Sequence, residues 1–358
     1  MTCDDESYPP SLPPGFSYID DEPPFDPGRH LALEGPAQKW ALADFGYDET
    51  EISQFASPIA ATSSVRILST EGLEAARAVI ARLEGLTTVH DQNDYQGQRR
   101  LYYGTYRSRF LRDLAGCAEI TTFLSDLFNV PIAGHTMGHL ACQVNFGSQV
   151  PGAQIAGWHH DIVGFTLVLG LHDPAKIEGG HFVYFNGTRQ EGATLLARDG
   201  TLPDNRLIVA DAVPPGHATA LQGTAILHSA QALRRPGWRC NIINSYVCRD
   251  VTAPDPNRAY PVDGFYPSEP LDPIPGEIAR HAAWIARGKL KRILEDLAWT
   301  DDREKLAAHL EAAVEDVTRA TAQIRQGNLT LEQYEAAYDF EDERQITAKP
   351  FRAINGDA

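Results

Sequence analysis

The sequence predicts an α+β protein in which helices flank a core of short antiparallel strands. Residues 138–249 alternate apolar and polar positions with a period of two and are rich in β-forming residues. Turn-forming pairs such as Pro151-Gly152, Gly179-Gly180 and Pro236-Gly237 separate the strand-like runs. Because no helical pattern is evident between these runs, an antiparallel sandwich or barrel is favoured over a parallel α/β sheet.

The region before this core is predicted to be an arm followed by two helices. Residues 1–60 are acidic and rich in proline, which excludes helix interiors and central strands, so we expect an extended arm that is wrapped over the body or partly disordered. Order is predicted to begin with a strand at residues 65–68. A helix then starts near Thr70 and stops at Gly85, and a second helix spans residues 109–128.

The core domain is assigned to residues 61–250 and contains seven predicted strands. These are residues 140–146, 157–161, 165–171, 181–185, 218–221, 225–228 and 240–247.

Residues 251–358 are predicted to form a helical extension. An apolar stripe in this region has alternating spacings of four and three: Leu306, Leu310, Ala313, Val317, Ala320 and Ile324. The stripe predicts a helix docked on the body, and the alternative is a homo-oligomer formed through the C-terminal helices. Thr330 and Gln333 form a capping box for a last short helix, and residues 344–358 are either a lid or a frayed end.

Composition narrows the class of partner. The 358 residues include 31 Lys and Arg against 48 Asp and Glu, which gives a net charge of −17. An acidic chain is a poor ligand for nucleic acid or anionic lipid, and no apolar run is long enough to span a bilayer. The five cysteines contain no C-x-x-C pair and the N-terminus is acidic, so we expect reduced thiols, no secretory signal and a cytoplasmic location.

The most informative motif is the pair His159 and Asp161. Residues two apart on a strand face the same way, so these side chains project together while His160 points to the other side. An imidazole and a carboxylate are two of the three ligands of a facial triad for non-haem Fe(II), and the third ligand is expected to be a distant histidine.

Two further residues fit this pattern. His228 lies at the end of an apolar strand 67 residues beyond Asp161. Arg239 opens the strand that follows, where a buried guanidinium requires an anion. Arg239, Asn241, Ile243 and Ser245 share one face of that strand, so one wall offers both a charge and hydrogen-bond donors.

This combination resembles the Fe(II)/2-oxoglutarate-dependent oxygenases over roughly residues 65–249. The resemblance implies a double-stranded β-helix with His159, Asp161 and His228 as iron ligands, and with Arg239 bound to the far carboxylate of 2-oxoglutarate. It implies a dioxygenase that uses dioxygen to oxidise a small molecule and releases succinate and CO2. We expect hydroxylation, with desaturation or cyclisation as alternatives, of a small polar metabolite such as an amino acid derivative.

Other polar residues have either a binding or a structural role. Gln143 and Asn145 alternate on one strand face and are predicted, with Asn241, to line the co-substrate pocket. Arg234 and Arg235 are expected to face solvent. His135, His139 and His217 are expected to be structural or exposed, and His181 is expected to be a packed strand residue. A further group either recognises a substrate carboxylate or belongs to a solvated loop: Arg99, Arg100, Tyr102, Tyr103 and Arg107.

Two alternative functions remain open at this stage. A cupin-like metal enzyme would use the same three ligands without 2-oxoglutarate, and Arg239 would then bind substrate. A non-catalytic β-helix would use its helical tail for protein interaction, although such a protein would tolerate loss of a metal ligand.

Overall fold

The structure is a computed structural model, and it describes residues 8–90, 97–257, 269, 271–297, 299 and 301–328. The elements up to residue 128 are α1 (Pro27–His30), β1 (Leu31–Glu34), β2 (Lys39–Ala41), α2 (Glu49–Ile52), β3 (Ile59–Thr62), β4 (Val65–Leu68), α3 (Thr70–Leu83), β5 (Thr88–His90), β6 (Gln98–Leu101), α4 (Gly104–Arg107), α5 (Arg109–Ala115) and α6 (Ala118–Phe128).

The remaining elements form most of the β core and the C-terminal helices. They are β7 (Ile132–Gly134), α7 (Gly138–Ala141), β8 (Cys142–Phe146), β9 (Ala156–His159), β10 (Phe165–Gly170), β11 (Glu178–Gly179), β12 (Phe182–Phe185), α8 (Arg189–Asp199), β13 (Leu207–Val209), β14 (His217–Leu221), β15 (His228–Ala230), β16 (Leu233–Arg235), β17 (Cys240–Cys248), α9 (Ile274–Asp296) and α10 (Arg303–Gln326).

Eight strands form two facing antiparallel sheets. The major sheet has the central order β14-β10-β17-β8, and the minor sheet has the order β13-β12-β15-β9. From β8 onward the chain passes back and forth between the two sheets, which is the connectivity of a jelly roll. The chain therefore folds as a double-stranded β-helix with flanking helices, and the predicted fold class is confirmed.

Each face of the major sheet has a distinct environment. On the outer face, Leu167, Leu169 and Ile242 pack against α3, α5 and α6 in the main hydrophobic core. On the inner face, Val168 and Leu221 contact Phe182 and Tyr184 of the minor sheet. Packing on the outer face holds the major sheet against the helices, and the side chains of the inner face line the space between the two sheets.

The N-terminal arm is more structured than its composition predicted. Strand β1 pairs with β4, and β3 pairs with both β2 and β14, so the arm extends the edge of the major sheet. The prediction that order begins at residue 65 was therefore wrong. The prolines of the arm are compatible with these strands, because those at 27, 36 and 58 lie in turns or at the start of a helix rather than inside strands.

Several element boundaries also differ from the sequence prediction. The helix predicted for residues 109–128 is two helices separated at Gly116 and Cys117. A helix, α8, lies between β12 and β13, where no helical pattern was evident, and its N-cap is Thr188, whose side chain accepts from the backbone of Glu191. Residues 140–141, predicted to open a strand, belong to the helical turn α7, and residues 225–227 precede β15 instead of belonging to it.

The C-terminal helices pack on one end of the barrel. Trp284 and Ile285 of α9 contact Val247 of β17, and α10 packs against α9. His139 and Tyr106 both hydrogen-bond to the buried carboxylate of Glu277 on α9, so part of this contact is polar. The predicted capping box at Thr330 and the predicted lid at residues 344–358 lie outside the described residues. Within the described part of the chain, no helix has the length and apolarity needed to cross a bilayer.

Candidate metal centre

Three side chains meet at the interior end of the minor sheet. His159 ends β9 and His228 begins β15, and the two residues are directly opposite in the antiparallel pair. Oδ1 of Asp161 lies 3.6 Å from Nε2 of His159 and 3.5 Å from Nε2 of His228. One potential ligand atom of each residue lies within 4.8 Å of the other two, and among the described residues no other group of this kind occurs. The structure therefore brings together the three residues that the sequence predicted as ligands.

Both imidazoles are oriented by a hydrogen bond to the backbone carbonyl two residues earlier. Nδ1 of His159 lies 2.8 Å from the carbonyl oxygen of Gly157, and Nδ1 of His228 lies 2.8 Å from that of Ile226. Because a carbonyl only accepts, each Nδ1 carries the hydrogen and each Nε2 keeps a lone pair. Such outer hydrogen bonds fix the tautomer and the ring orientation that a metal ligand needs.

Asp161 is held on its other side. The hydroxyl of Thr166, at the start of β10, donates to Oδ2 of Asp161 at 2.6 Å, while the backbone nitrogen of Asp161 donates to the carbonyl of Gly223 at 2.9 Å. A Cβ atom on Gly223 would lie 1.9 Å from Oδ2 of Asp161, so this position accepts only glycine without displacing the carboxylate. Oδ1 is thereby left to face the imidazoles.

His159 and Asp161 have the protonation states that metal binding requires. Burial, followed by the neighbouring His228, lowers the pKa of His159 to about 4. Burial raises the pKa of Asp161, but the two histidines and the hydrogen bond from Thr166 outweigh that effect and leave it lowered. A neutral imidazole and a carboxylate, the forms that bind metals, are thus present at neutral pH.

His160 follows the last residue of β9 and does not belong to the three-residue cluster. It is fully buried, and burial together with Arg189 lowers its pKa to about 3. Its position agrees with the alternation predicted from the sequence.

A cavity of about 210 Å³ lies between the sheets, and Arg239 lines it. Phe182 lines the same cavity, and its ring stacks on that of His228 with 5.2 Å between centroids. Phe182 thus contacts His228 of the three-residue cluster and lines the same cavity as Arg239.

Arg239 is buried and is held by Asn241. With its amide oxygen turned toward the guanidinium, Asn241 accepts from Nη1 at 2.9 Å and from Nη2 at 3.2 Å. Burial lowers the pKa of Arg239 to about 10, so it remains a cation at neutral pH. Among the described residues, Arg239 forms no salt bridge and its Nε has no hydrogen-bond partner. A buried cation in this state favours an anionic ligand from outside the chain.

The other predicted arginines have different surroundings. Arg234 pairs with Glu178 at 2.9 Å at the outer rim of the cavity, and Arg235 is exposed on β16. Both face solvent, as the sequence predicted. His181 precedes β12, is half-buried and lines the cavity rim instead of packing in the core.

Gln143 and Asn145 project from β8 into the interior, because the alternating residues Val144 and Phe146 belong to the outer core. Oδ1 of Asn145 is buried and has no hydrogen-bond partner among the described residues. Asn145 pairs in register with Asn241, which places it on the same wall as the contact of Arg239.

Strand β6 places Arg99 and Arg100, whose roles the sequence left open, on opposite faces of the sheet. Arg99 lies on the outer face, where it pairs with Glu84 and stacks over Phe146. Arg100 is in register with Asn145 and therefore faces the interior, where its charge contributes to the lowered pKa of His159. Of the others, Arg107 pairs with Glu269, and Tyr102 and Tyr103 are buried in an aromatic cluster with Phe16.

Four residues of this region escaped the sequence analysis: Thr166, His172, Phe182 and Gly223. Thr166 had a weak signal, as a polar residue on the inner face of an apolar strand. His172 lines the cavity, and burial, followed by Arg239, lowers its pKa to about 4. Phe182 and Gly223 had no signal, because their roles depend on contacts between distant segments.

Comparison with known proteins gives fold relatives alone. No family model matches the chain, and no curated protein matches it. Among solved structures, it is similar to a 2OG-Fe(II) oxygenase family oxidoreductase from Burkholderia pseudomallei at 15% identity, over 64% of this chain and 98% of that chain, with a TM-score of 0.36.

Two further solved structures are similar at the same level. HygX from Streptomyces hygroscopicus, with nickel, 2-oxoglutarate and hygromycin B bound, is 16% identical over 50% of this chain and 79% of its own, with a TM-score of 0.38. The epimerase SnoN, in complex with Fe3+, alpha ketoglutarate and nogalamycin RO, is 16% identical over 64% of this chain and 94% of its own, with a TM-score of 0.40. Because these identities and TM-scores are low, the function proposed below rests on this chain's own residues.

Proposed function

We propose that this protein is an Fe(II)- and 2-oxoglutarate-dependent oxygenase that acts on a small polar molecule. The observation that supports this function is a pair of features linked through Phe182, which stacks on His228 and lines a cavity together with Arg239. A two-histidine, one-carboxylate cluster lies beside Phe182, and the buried guanidinium of Arg239 lines the same cavity. A dicarboxylate that binds a metal at one end and a guanidinium at the other fits this arrangement.

His159, Asp161 and His228 would hold the metal. Their donor set, two imidazole nitrogens and one carboxylate oxygen, is that of non-haem Fe(II) oxygenases and leaves further coordination positions open. With iron, 2-oxoglutarate and dioxygen bound, the site supplies oxidation of a C–H bond, and the co-substrate leaves as succinate and CO2. Thr166 and Gly223 keep Oδ1 of Asp161 directed at the metal position.

Arg239 would bind the far carboxylate of the co-substrate. Asn241 accepts from both Nη atoms at the end of the fork, so Nε and Nη2 are left as the paired N–H donors that match a carboxylate. Because the guanidinium is buried, the pair is protected from solvent screening, and binding relieves an otherwise uncompensated charge.

The substrate is proposed to be a small polar metabolite, such as an amino acid derivative, that carries an acceptor or an anionic group. Three polar side chains on the interior side of β6 and β8 support this class: Arg100, Gln143 and Asn145. Arg100 supplies a positive charge near His159, and Asn145 supplies a buried amide oxygen for a donor on the substrate.

Two experiments test the function. Anaerobic titration of the Fe(II) protein with 2-oxoglutarate, followed by visible charge-transfer absorption, tests the co-substrate and separates this proposal from a cupin-like enzyme without it. A screen of amino acids and their derivatives, read as substrate-stimulated succinate formation, then tests the substrate class. Absence of 2-oxoglutarate binding would contradict the first assignment whatever the screen shows.

A further inference from the structure

Helix α10 is attached to the rest of the chain along a narrow line of small side chains. Ala313 and Ala320 are buried, and Asp316 pairs with Lys289 of α9 at 2.6 Å. All other residues of the helix are exposed or half-buried. Since a helix in a protein gains most of its stability from packing, so little burial is unusual for 24 residues.

A stripe of larger apolar residues on α10 is not covered by the described part of the chain. Leu310, Val314, Val317 and Ile324 are 55%, 49%, 41% and 37% exposed. Their spacings of four, three and seven are those of a coiled-coil seam. The heptad stripe predicted from the sequence is thus divided between two surfaces. Its alanines face α9, whereas Leu310, Val317 and Ile324 form the exposed seam together with Val314.

Helix α9 adds a second exposed stripe on the same side of the hairpin. Leu290, Leu294 and Leu297 near its C-terminus are between 39% and 87% exposed. The two helices run antiparallel, since Lys289 contacts Asp316 and Ala282 clusters with Ala320. On each helix the exposed stripe follows the side that packs on the other helix by about a quarter turn. Because the helices are antiparallel, the two stripes lie on the same side of the hairpin and form one joint apolar face. Monomers rarely expose an extended apolar face of this kind.

The charges along α10 are complementary to a reversed copy of the same helix. Residues 303–316 contain two cations and four anions, a net charge of −2, whereas residues 317–326 contain two cations and no anion, a net charge of +2: Arg303, Glu304, Lys305, Glu311, Glu315 and Asp316, then Arg319 and Arg325. The chain as a whole carries −17, so two copies repel one another except where such complementary halves meet.

We propose that two copies of this chain associate through this face, with their α10 helices antiparallel. Placing Val314 opposite Val317 of the second copy also aligns Leu310 with Thr321, and it brings Glu304 beside Arg325 on the solvent flank of the seam. The two hairpins then form a four-helix contact that covers the exposed leucines of α9. The proposal is independent of the reaction proposed above.

Sedimentation equilibrium of the full chain tests the association. Wild type should show twice the mass of the 39.3 kDa chain at micromolar concentration, and Val314→Glu should shift it to the monomer. Lys305→Glu, on the far side of α10 from the seam, also introduces a glutamate, so it is the matched control and should leave the dimer unchanged. A wild-type monomer at every concentration, as expected if residues 329–358 cover the face instead, would overturn the proposal, as would a dimer that Val314→Glu leaves intact.

A charge exchange tests the orientation with exposed residues that should not affect folding. Glu304→Arg alone should raise the dimer Kd at least tenfold, because it places two cations together at each end of the contact. Combining Glu304→Arg with Arg325→Glu should restore the wild-type Kd. Failure of the double variant to recover would overturn the antiparallel arrangement.

Discussion

Thr166 donates its hydroxyl hydrogen to Oδ2 of Asp161 at 2.6 Å, across the gap between the two sheets. This contact turns Oδ1 of Asp161 toward the two imidazoles and helps keep the carboxylate ionised at neutral pH. One hydroxyl on the major sheet thereby orients a ligand that follows the minor sheet.

Thr166→Val should weaken metal binding while preserving the fold, because valine has a similar shape but cannot donate. Loss of an outer-shell hydrogen bond to a ligand typically lowers metal affinity about 10- to 100-fold. The measurement is competitive titration of the protein with Fe(II) or Ni(II) in the absence of oxygen. Thr219→Val, on the inner face of β14, is the control and should bind metal as wild type does.

Gly223→Ala should be more damaging, since its Cβ would overlap Oδ2 of Asp161. We expect at least a hundredfold loss of metal affinity, with the barrel still folded by circular dichroism. Gly164→Ala is the matched control, because its nearest neighbour would lie 3.5 Å away, an ordinary contact. Equal metal affinities for the two variants would show that Asp161 has room to move.

Stability should depend on pH through buried histidines that stay neutral. Burial, followed by His281, lowers the pKa of His135 to about 3, and its Nδ1 accepts from the backbone of Met137. An unfolded chain titrates a histidine near about 6.5, so below that pH the unfolded state binds the additional proton. The free energy of unfolding is therefore full above pH about 6.5 and falls as the pH drops from about 6.5 toward about 3.

Urea unfolding of the metal-free protein between pH 7.5 and pH 5 measures this effect. His135→Gln should be less stable than wild type at neutral pH but should lose less stability on acidification. His309→Gln, at an exposed position on α10, should leave the wild-type pH dependence unchanged. An unaltered slope in His135→Gln would mean that this histidine is not the titrating group.

Arg100 and Arg99 offer a matched pair for substrate recognition. Once the screen provides a substrate, Arg100→Gln should lower kcat/KM at least tenfold, because the inward guanidinium is lost. Arg99→Gln, which removes an outward ion pair with Glu84, should have little effect on kcat/KM. Binding of 2-oxoglutarate should be unchanged in both variants, which separates a substrate role from a co-substrate role.

The sequence could predict the core because local rules apply there. Alternation along the predicted strand 157–161 put His159 and Asp161 together and His160 apart; in the structure the first two share the cluster and His160 does not, although the strand itself ends at His159. Arg239 could be selected over Arg235 because it opens an apolar strand, while Arg235 directly precedes Pro236. These inferences need only the period of a strand and the cost of burying a charge.

Other features required contacts that no local pattern shows. The strands of the N-terminal arm form because β4 and β14 offer open edges, and a proline-rich composition conceals this. Arg99 and Arg100 could not be told apart without the register of β6 against β8. Gly223 is essential only because Asp161, 62 residues earlier in the sequence, approaches its backbone.

The most direct test of the central claim is anaerobic titration of the Fe(II) protein with 2-oxoglutarate, comparing wild type, Arg239→Ala and Arg235→Ala. Removing one partner of a buried charge pair costs about 3–5 kcal/mol, and about 1.4 kcal/mol is tenfold in affinity. Arg239→Ala should therefore raise the Kd for 2-oxoglutarate by two or more orders of magnitude with Fe(II) still bound, whereas Arg235→Ala should match wild type. Wild type that develops no charge-transfer band, or Arg239→Ala that binds 2-oxoglutarate as wild type does, would contradict the account.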